Sequence, residues 1–305
     1  MQRAQQRLLT ALLAAGPVLL ALVGAVVWRT ARSALSPVDV LTAAAGGVHT
    51  GGDARAAVVP DVRGEDEIAR LATTLRRMLD RLAESFERER AFVDDASHEL
   101  RTPVAVIRGE LELALTSLDD LEAVEQSLRA ALGEAERMGR LSEDLLVLAR
   151  ANAGTITTSM LRVDLCELLA SAGLRAGRVT GMAVEVSGPP VVVQADPEAM
   201  ERVISNLVAN AATAGATTVH LVVSEHGSGV DIQVEDDGPG FPPGFATVAF
   251  ERFRRADVAR TRTGGAGLGL SIVRTLVEAQ GGHVLADEQR GRLGGAVVRL
   301  RLLSH

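Results

Sequence analysis

Phe92-Val93-Asp94-Asp95-Ala96-Ser97-His98-Glu99-Leu100-Arg101-Thr102-Pro103 is the stretch from which the rest of the chain can be read. Apolar residues continue from it as Leu100, Val104, Ile107, Leu111, Ala114 and Leu118, at alternating spacings of four and three. That is the seam of a helix packed on other helices. His98 lies two residues before Leu100, off the seam, so the spacing predicts an imidazole presented to solvent on the flank. Glu99 follows directly, and Thr102 stands about one turn further along. An exposed imidazole is a nucleophile at neutral pH without help from burial. A neighbouring carboxylate can hold one ring nitrogen protonated and leave the other lone pair free to attack. Taken alone, the stretch also fits a solvated histidine on a charged helix.

Ser97-His98-Glu99-Leu100-Arg101-Thr102-Pro103 resembles the phosphoacceptor motif of bacterial sensor histidine kinases. The resemblance implies that His98 takes a phosphoryl group from ATP and passes it to an aspartate on a response regulator receiver domain. It makes Glu99 the orienting base and links Thr102 to the reverse, phosphatase reaction. It also requires an ATP site elsewhere in the chain.

The 305 residues leave room for more than one domain, and a formal charge of -7 gives no reason to expect nucleic-acid binding. All 32 cations are Arg and there is no Tyr, a bias that looks like a GC-rich bacterial genome. Cys166 sits in the apolar helical pattern Val163-Asp164-Leu165-Cys166-Glu167-Leu168-Leu169, as a small core residue would. One cysteine excludes a disulfide framework within the chain.

Leu8 to Trp28 runs for 21 residues without a charge. At ~1.5 Å per residue it spans about 30 Å, a bilayer core. Arg3 and Arg7 precede it, Arg29 and Arg32 follow it, and Trp28 stands at the expected interface. The reading is a single-pass helix over 8–28 in the bacterial cytoplasmic membrane. Orientation is set by ATP being cytosolic, which puts the catalytic region in the cytoplasm. Sensor kinases of this kind usually carry two such helices around an external sensing domain; one apolar span is found.

Residues 29–82 read as helix, loop, helix. Gly46, Gly47, Gly51 and Gly52 form the loop, and Ile68, Leu71, Leu75, Met78 and Leu82 repeat in heptad spacing behind Glu65-Asp66-Glu67. With Pro37, this resembles a HAMP signal-relay module; a plain coiled-coil linker fits the same pattern. After Leu82 the seam slips phase, Ser85 being followed by Phe86, a place for a two-state helical switch. Residues 83–152 then make two helices around a turn at Leu118-Asp119-Asp120. Leu128, Ala131, Leu132, Ala135, Met138, Leu141, Leu145 and Leu148 form the second apolar face. One hairpin leaves its seam bare and two bury it, so the pattern predicts a homodimer built on a four-helix bundle. The stretch from Ala151 to Ser159 reads as a hinge.

From about residue 160 to 305 the pattern is α/β. Asp196-Pro197-Glu198 opens a helix on which Asn206 and Asn210 share a face. Strands at Val219 to Ser224 and Val230 to Val234 lead into Glu235-Asp236-Asp237-Gly238-Pro239-Gly240. Phe250-Glu251-Arg252-Phe253-Arg254-Arg255 follows, and Gly264-Gly265-Ala266-Gly267-Leu268-Gly269 opens an apolar helix. Glycines before a helix N-terminus let backbone N–H groups approach phosphate. Alone, the amide pair fits a buried hydrogen-bonded pair, the turn is a common type, and the arginines suit a solvated loop. In this order they resemble the N, G and F boxes and glycine lid of the kinase ATP domain, an α/β sandwich of the histidine-kinase/gyrase type. The resemblance implies that Asn210 binds Mg²⁺ and Asn206 contacts phosphate. It implies that Asp236 accepts a bond from the adenine amino group beside Gly238 and Gly240. Gly265, Gly267, Leu268 and Gly269 would cradle the phosphates, and Arg255 and Arg260 would steady the γ-phosphate.

Two features depart from the family. Thr213 and Ala214 stand where a basic residue and an aromatic usually follow the N box, so weaker ATP binding is expected. No external sensing domain is read between two membrane helices, as expected either of a start internal to a longer protein or of sensing through the membrane or a partner. The reading is a dimeric membrane sensor histidine kinase with phosphatase activity; the alternative is a regulator-binding protein in which the kinase is inactive or the phosphatase dominates.

Overall fold

The computed structural model describes residues 67–227, 229–256 and 266–303. The expected membrane helix at 8–28 and the relay as far as residue 66 lie outside these described residues. So do Arg260 and Gly265 of the glycine lid. The chain divides into two units, Met1–Val93 and Asp94–His305. The described part of the first unit is helical, the opening of helix α1 (Glu67–Thr116). Among the described residues no helix is long and apolar enough to cross a membrane.

In the second unit the last turns of α1 and helix α2 (Leu121–Asn152) form a hairpin. Asp120 caps α2, its carboxylate accepting the backbone N–H groups of Glu122 and Ala123. Pro103 lies inside α1. Lacking an N–H, it leaves the Glu99 carbonyl without its helical donor, five residues past the boundary between the units. The seam is open: Val104 is 52% exposed, Leu111 43% and Leu132 62%. Further along α2, Leu148 is fully buried, and the helix packs against the α/β part.

That part carries β1 (Leu161–Asp164), α3 (Leu165–Thr180), β2 (Ala183–Ser187), β3 (Val192–Ala195) and α4 (Pro197–Thr213). There follow β4 (Thr218–His226), β5 (Gly229–Asp236), α5 (Gly269–Ala279), β6 (His283–Ala286) and β7 (Val297–Leu303). Five strands make one sheet in the order β2-β4-β5-β7-β6, parallel only at β2-β4. Alternation fixes its faces. Val219, Leu221 and Val223 on β4, Ile232 and Val234 on β5, and Val298 and Leu300 on β7 are buried on one side. α3 packs on β2 and α5 on β6, with α4 between the two helices. The other face is polar, with Arg301 making two bonds to the Asp231 carboxylate directly across the strands, at 2.7 and 2.8 Å. β1, not foreseen in the sequence, pairs antiparallel with β3 as a separate two-stranded ribbon.

Candidate active site

α4 begins where Asp196 caps it and Pro197 supplies the first helical residue. Its apolar positions, Met200, Val203, Ile204, Leu207 and Val208, turn to the sheet. Asn206 and Asn210 thereby fall on a different face, beside the start of α5. A methyl group on Gly269 would stand 3.0 Å and 3.1 Å from the two amide atoms of Asn210 and 3.2 Å from Asn206 Oδ1. Glycine leaves that approach open. α5 starts with no side-chain cap, so its first N–H groups are left to solvent or to an anion.

Asn206 donates from Nδ2 to the Arg202 carbonyl at 2.9 Å and keeps its oxygen for the cavity. Asn210 Nδ2 is buried without a partner, singled out in this respect among the described residues. A buried polar atom left unpaired costs about 1–3 kcal/mol, which a ligand at this spot relieves. The two ends of an amide are alike in shape, so the side chain can offer oxygen or nitrogen there. No group of three His, Cys, Asp or Glu forms a metal cage among the described residues. One amide oxygen together with phosphate oxygens is the ligand set that suits Mg²⁺ in nucleotide sites, so these residues fit that ion.

At the end of β5, Asp236 Oδ1 accepts the backbone N–H groups of Gly238 at 2.9 Å and Ala296 at 3.0 Å. The second oxygen remains for a ligand. Burial pushes the Asp236 carboxyl above the usual carboxylate range, against the pull of those two N–H groups and with a smaller push from Asp237. Gly295 makes this possible. A methyl group there would lie 2.1 Å from Asp236 Oδ1 and 2.3 Å from its carbonyl, so no other residue fits. The neighbouring Asp237 faces outward and receives Thr217 Oγ1 and the N–H groups of Thr217 and Thr218. These bonds hold its carboxyl at about 2.

Asn206, Asn210, Asp236, Gly240, Arg255, Gly267, Leu268 and Gly269 line one cavity of about 760 Å³. Gly238 stands behind it, holding Asp236. Thr213 and Ala214 also line the cavity, with neither charge nor ring. Ring surface comes instead from Phe241 and Phe245, whose centroids are 5.9 Å apart.

Glu99, Thr102, Pro103 and Val106 of α1 line the same cavity. His98 is exposed and does not, although the residue after it does. Thr102 Oγ1 donates to the His98 carbonyl one turn back, at 3.4 Å. The hairpin is held to the α/β part by Arg202 on Asp144 at 2.8 Å and by Arg252 on Asn152 at 2.7 Å. Burial raises the Asp144 carboxyl from its ordinary range, opposed by the Arg202 bond. Sequence reasoning missed this docking face of α2, where Arg137, Arg140, Leu141 and Asp144 reach the cavity. Their spacing by three and four was the available signal.

Residues 88–154 match the family model of the His Kinase A (phospho-acceptor) domain. Residues 195–304 match that of the Histidine kinase-, DNA gyrase B-, and HSP90-like ATPase. The chain is similar to the Probable sensor histidine kinase TcrY of Mycobacterium tuberculosis, 38% identical over 76% of this chain and 51% of TcrY. It is also similar to the Signal transduction histidine-protein kinase/phosphatase MprB of Mycolicibacterium smegmatis, 36% identical over 97% of this chain and 62% of MprB. It therefore spans roughly half to three-fifths of these relatives' length. In fold it is similar to the Acinetobacter baumannii histidine kinase AdeS, with a TM-score of 0.55 and 20% identity over 68% of this chain and 98% of that one. Full-length ShkA in complex with AMPPNP is similar at a TM-score of 0.50 and 28% identity, over 68% of this chain and 45% of ShkA.

Proposed function

The chain belongs to the bacterial sensor histidine kinases, and from that premise we propose that it moves the γ-phosphoryl group of ATP to His98 and on to a response regulator aspartate. The observation that carries this is the single cavity shared by Asn206, Asn210 and Asp236 of the α/β part with Glu99 and Thr102 of the hairpin. Asp236 offers a free carboxylate oxygen to the adenine amino group, and Phe241 and Phe245 flank the base with apolar surface. Asn206 and the open N-terminus of α5 receive phosphate oxygens. Asn210 would hold Mg²⁺, which when bound supplies charge neutralisation between the phosphates.

The remaining work falls to the hairpin. Glu99 accepts a proton from one nitrogen of His98, leaving the other lone pair free to attack phosphorus as the bond to ADP breaks. His98 lies just outside the cavity, so the α/β part shifts along the hairpin to bring the phosphate in line, and positioning carries most of the rate. The missing charge and ring at Thr213 and Ala214 weaken ATP affinity while leaving this chemistry in place. Thr102 serves removal of phosphate from the regulator; MprB's name carries both activities. The catalytic region works in the cytoplasm below a membrane span at 8–28. Two chains join through the bare hairpin seam. Lid contacts from Arg255, Arg260, Gly265 and Gly267 steady the phosphates.

Incubation of the full chain in detergent with γ-labelled ATP tests the reading. The kinase gives label on the wild type and none on His98→Ala. No label on either, with regulator phosphate lost in a Thr102-dependent way, would replace it with a phosphatase.

A further inference from the structure

The cation that ordinarily follows the N box is absent at Thr213, yet a nucleotide triphosphate needs its charge met. Four arginines line the cavity: Arg137, Arg140, Arg254 and Arg255. Arg254 is bonded to Glu251 at 2.7 Å and Arg137 lies 3.5 Å from Glu134. Arg255 is also engaged. Arg140 makes no hydrogen bond or ion pair among the described residues. It pulls the Asp144 carboxyl downward, the smallest of the influences on that group, and the carboxylate itself is bonded to Arg202. Arg140 is exposed and stands one turn before Asp144, on the face of α2 turned to the α/β part.

The two walls of the cavity set the direction of the nucleotide. With adenine on Asp236 of the sheet and transfer to His98 beside Glu99, the chain of phosphates runs from the α/β wall to the hairpin wall. The terminal phosphate is the one that arrives beside α2. The geometry points to Arg140, on the phosphoacceptor hairpin, as the residue that binds the γ-phosphate of ATP in place of the charge missing at Thr213. This rests on the kinase reading and adds one consequence. Because the cation belongs to the hairpin, full affinity for the triphosphate exists only while the α/β part is docked on it, and ADP, which lacks the γ-phosphate, is released without resistance from Arg140.

The test measures dissociation constants of the full chain in detergent, with Mg²⁺, for ADP and for the β,γ-imido analogue of ATP. Arg140→Ala, at an exposed helical position that tolerates alanine, is expected to weaken the analogue about fivefold and leave ADP within about twofold. Arg140→Lys is expected to keep most of the wild-type preference, and added salt to narrow it. Equal loss for both nucleotides in Arg140→Ala, or no change in either, would overturn the assignment. A wild type that binds neither nucleotide would overturn the kinase reading together with it. That outcome is distinct from a wild type that binds both and a variant that does not discriminate.

Discussion

The hairpin and the α/β part handle their apolar residues in opposite ways. In the sheet and its helices, Ile232, Leu300, Ile204 and Ile272 are fully buried within one chain. In the hairpin, Val104, Leu111, Leu118 and Leu132 are each more than two-fifths exposed. An apolar groove bounded by Val104, Ile107, Leu111, Leu115 and Met138 runs between the two helices. The α/β part thus completes its own core, while the hairpin leaves its apolar seam open to solvent. On the kinase reading proposed above, the closed core gives the nucleotide a rigid wall and the open seam gives two copies a surface on which to join.

A charge on the open seam has the largest expected effect. Leu132→Asp should abolish dimerisation, seen by sedimentation, because burying an unpaired carboxylate in the bundle costs several kcal/mol or more; nucleotide binding should survive. Unchanged sedimentation would mean that the seam is not an interface between copies. Next comes the closed core. Ile232→Ala should lower the unfolding free energy of the α/β part by about 2–5 kcal/mol, read by denaturant titration, without altering the oligomer.

Smaller effects sharpen the boundary between the regions. Asp236→Asn should weaken ATP about tenfold or more, since it replaces an ionised acceptor with an amide at the adenine end. Burial holds the Asp236 carboxyl above the usual range. Because the ionised form binds, ATP affinity should fall as pH drops through that raised value, at a higher pH than an ordinary aspartate near 3.9 allows; a flat acid limb would count against the role. Arg202→Ala should loosen docking by no more than about 1 kcal/mol, the pair being partly solvated. A double-mutant cycle with Asp144→Asn isolates that term.

Much of this was legible in the sequence because periodicity and punctuation agree there. Asp120 and Asp196 mark helix starts that the structure keeps. The seam through Leu100 and Val104 placed His98 on an exposed flank, where it is. β1 was not legible: its four residues bury no alternating face, and only pairing with β3 makes them a strand. Cys166 was read as core, yet it is partly exposed, its thiol held 3.0 Å from the Pro189 carbonyl. The docking face of α2 was hidden for another reason. Arg140 and Asp144 look like ordinary solvated charges, and their meaning depends on α4 arriving from fifty residues and more along the chain. Gly295 carries no side-chain signal in the sequence, and only the fold shows that its bareness admits the Asp236 carboxylate.

Where the phosphoryl group lands decides the role of His98. After reaction with ATP at neutral pH and digestion after arginine, phosphate should be recovered on the peptide from Ala91 to Arg101, released by acid and retained in alkali. Phosphate on a different peptide, acid-stable phosphate on Ser97, or equal labelling of His98→Gln would contradict it.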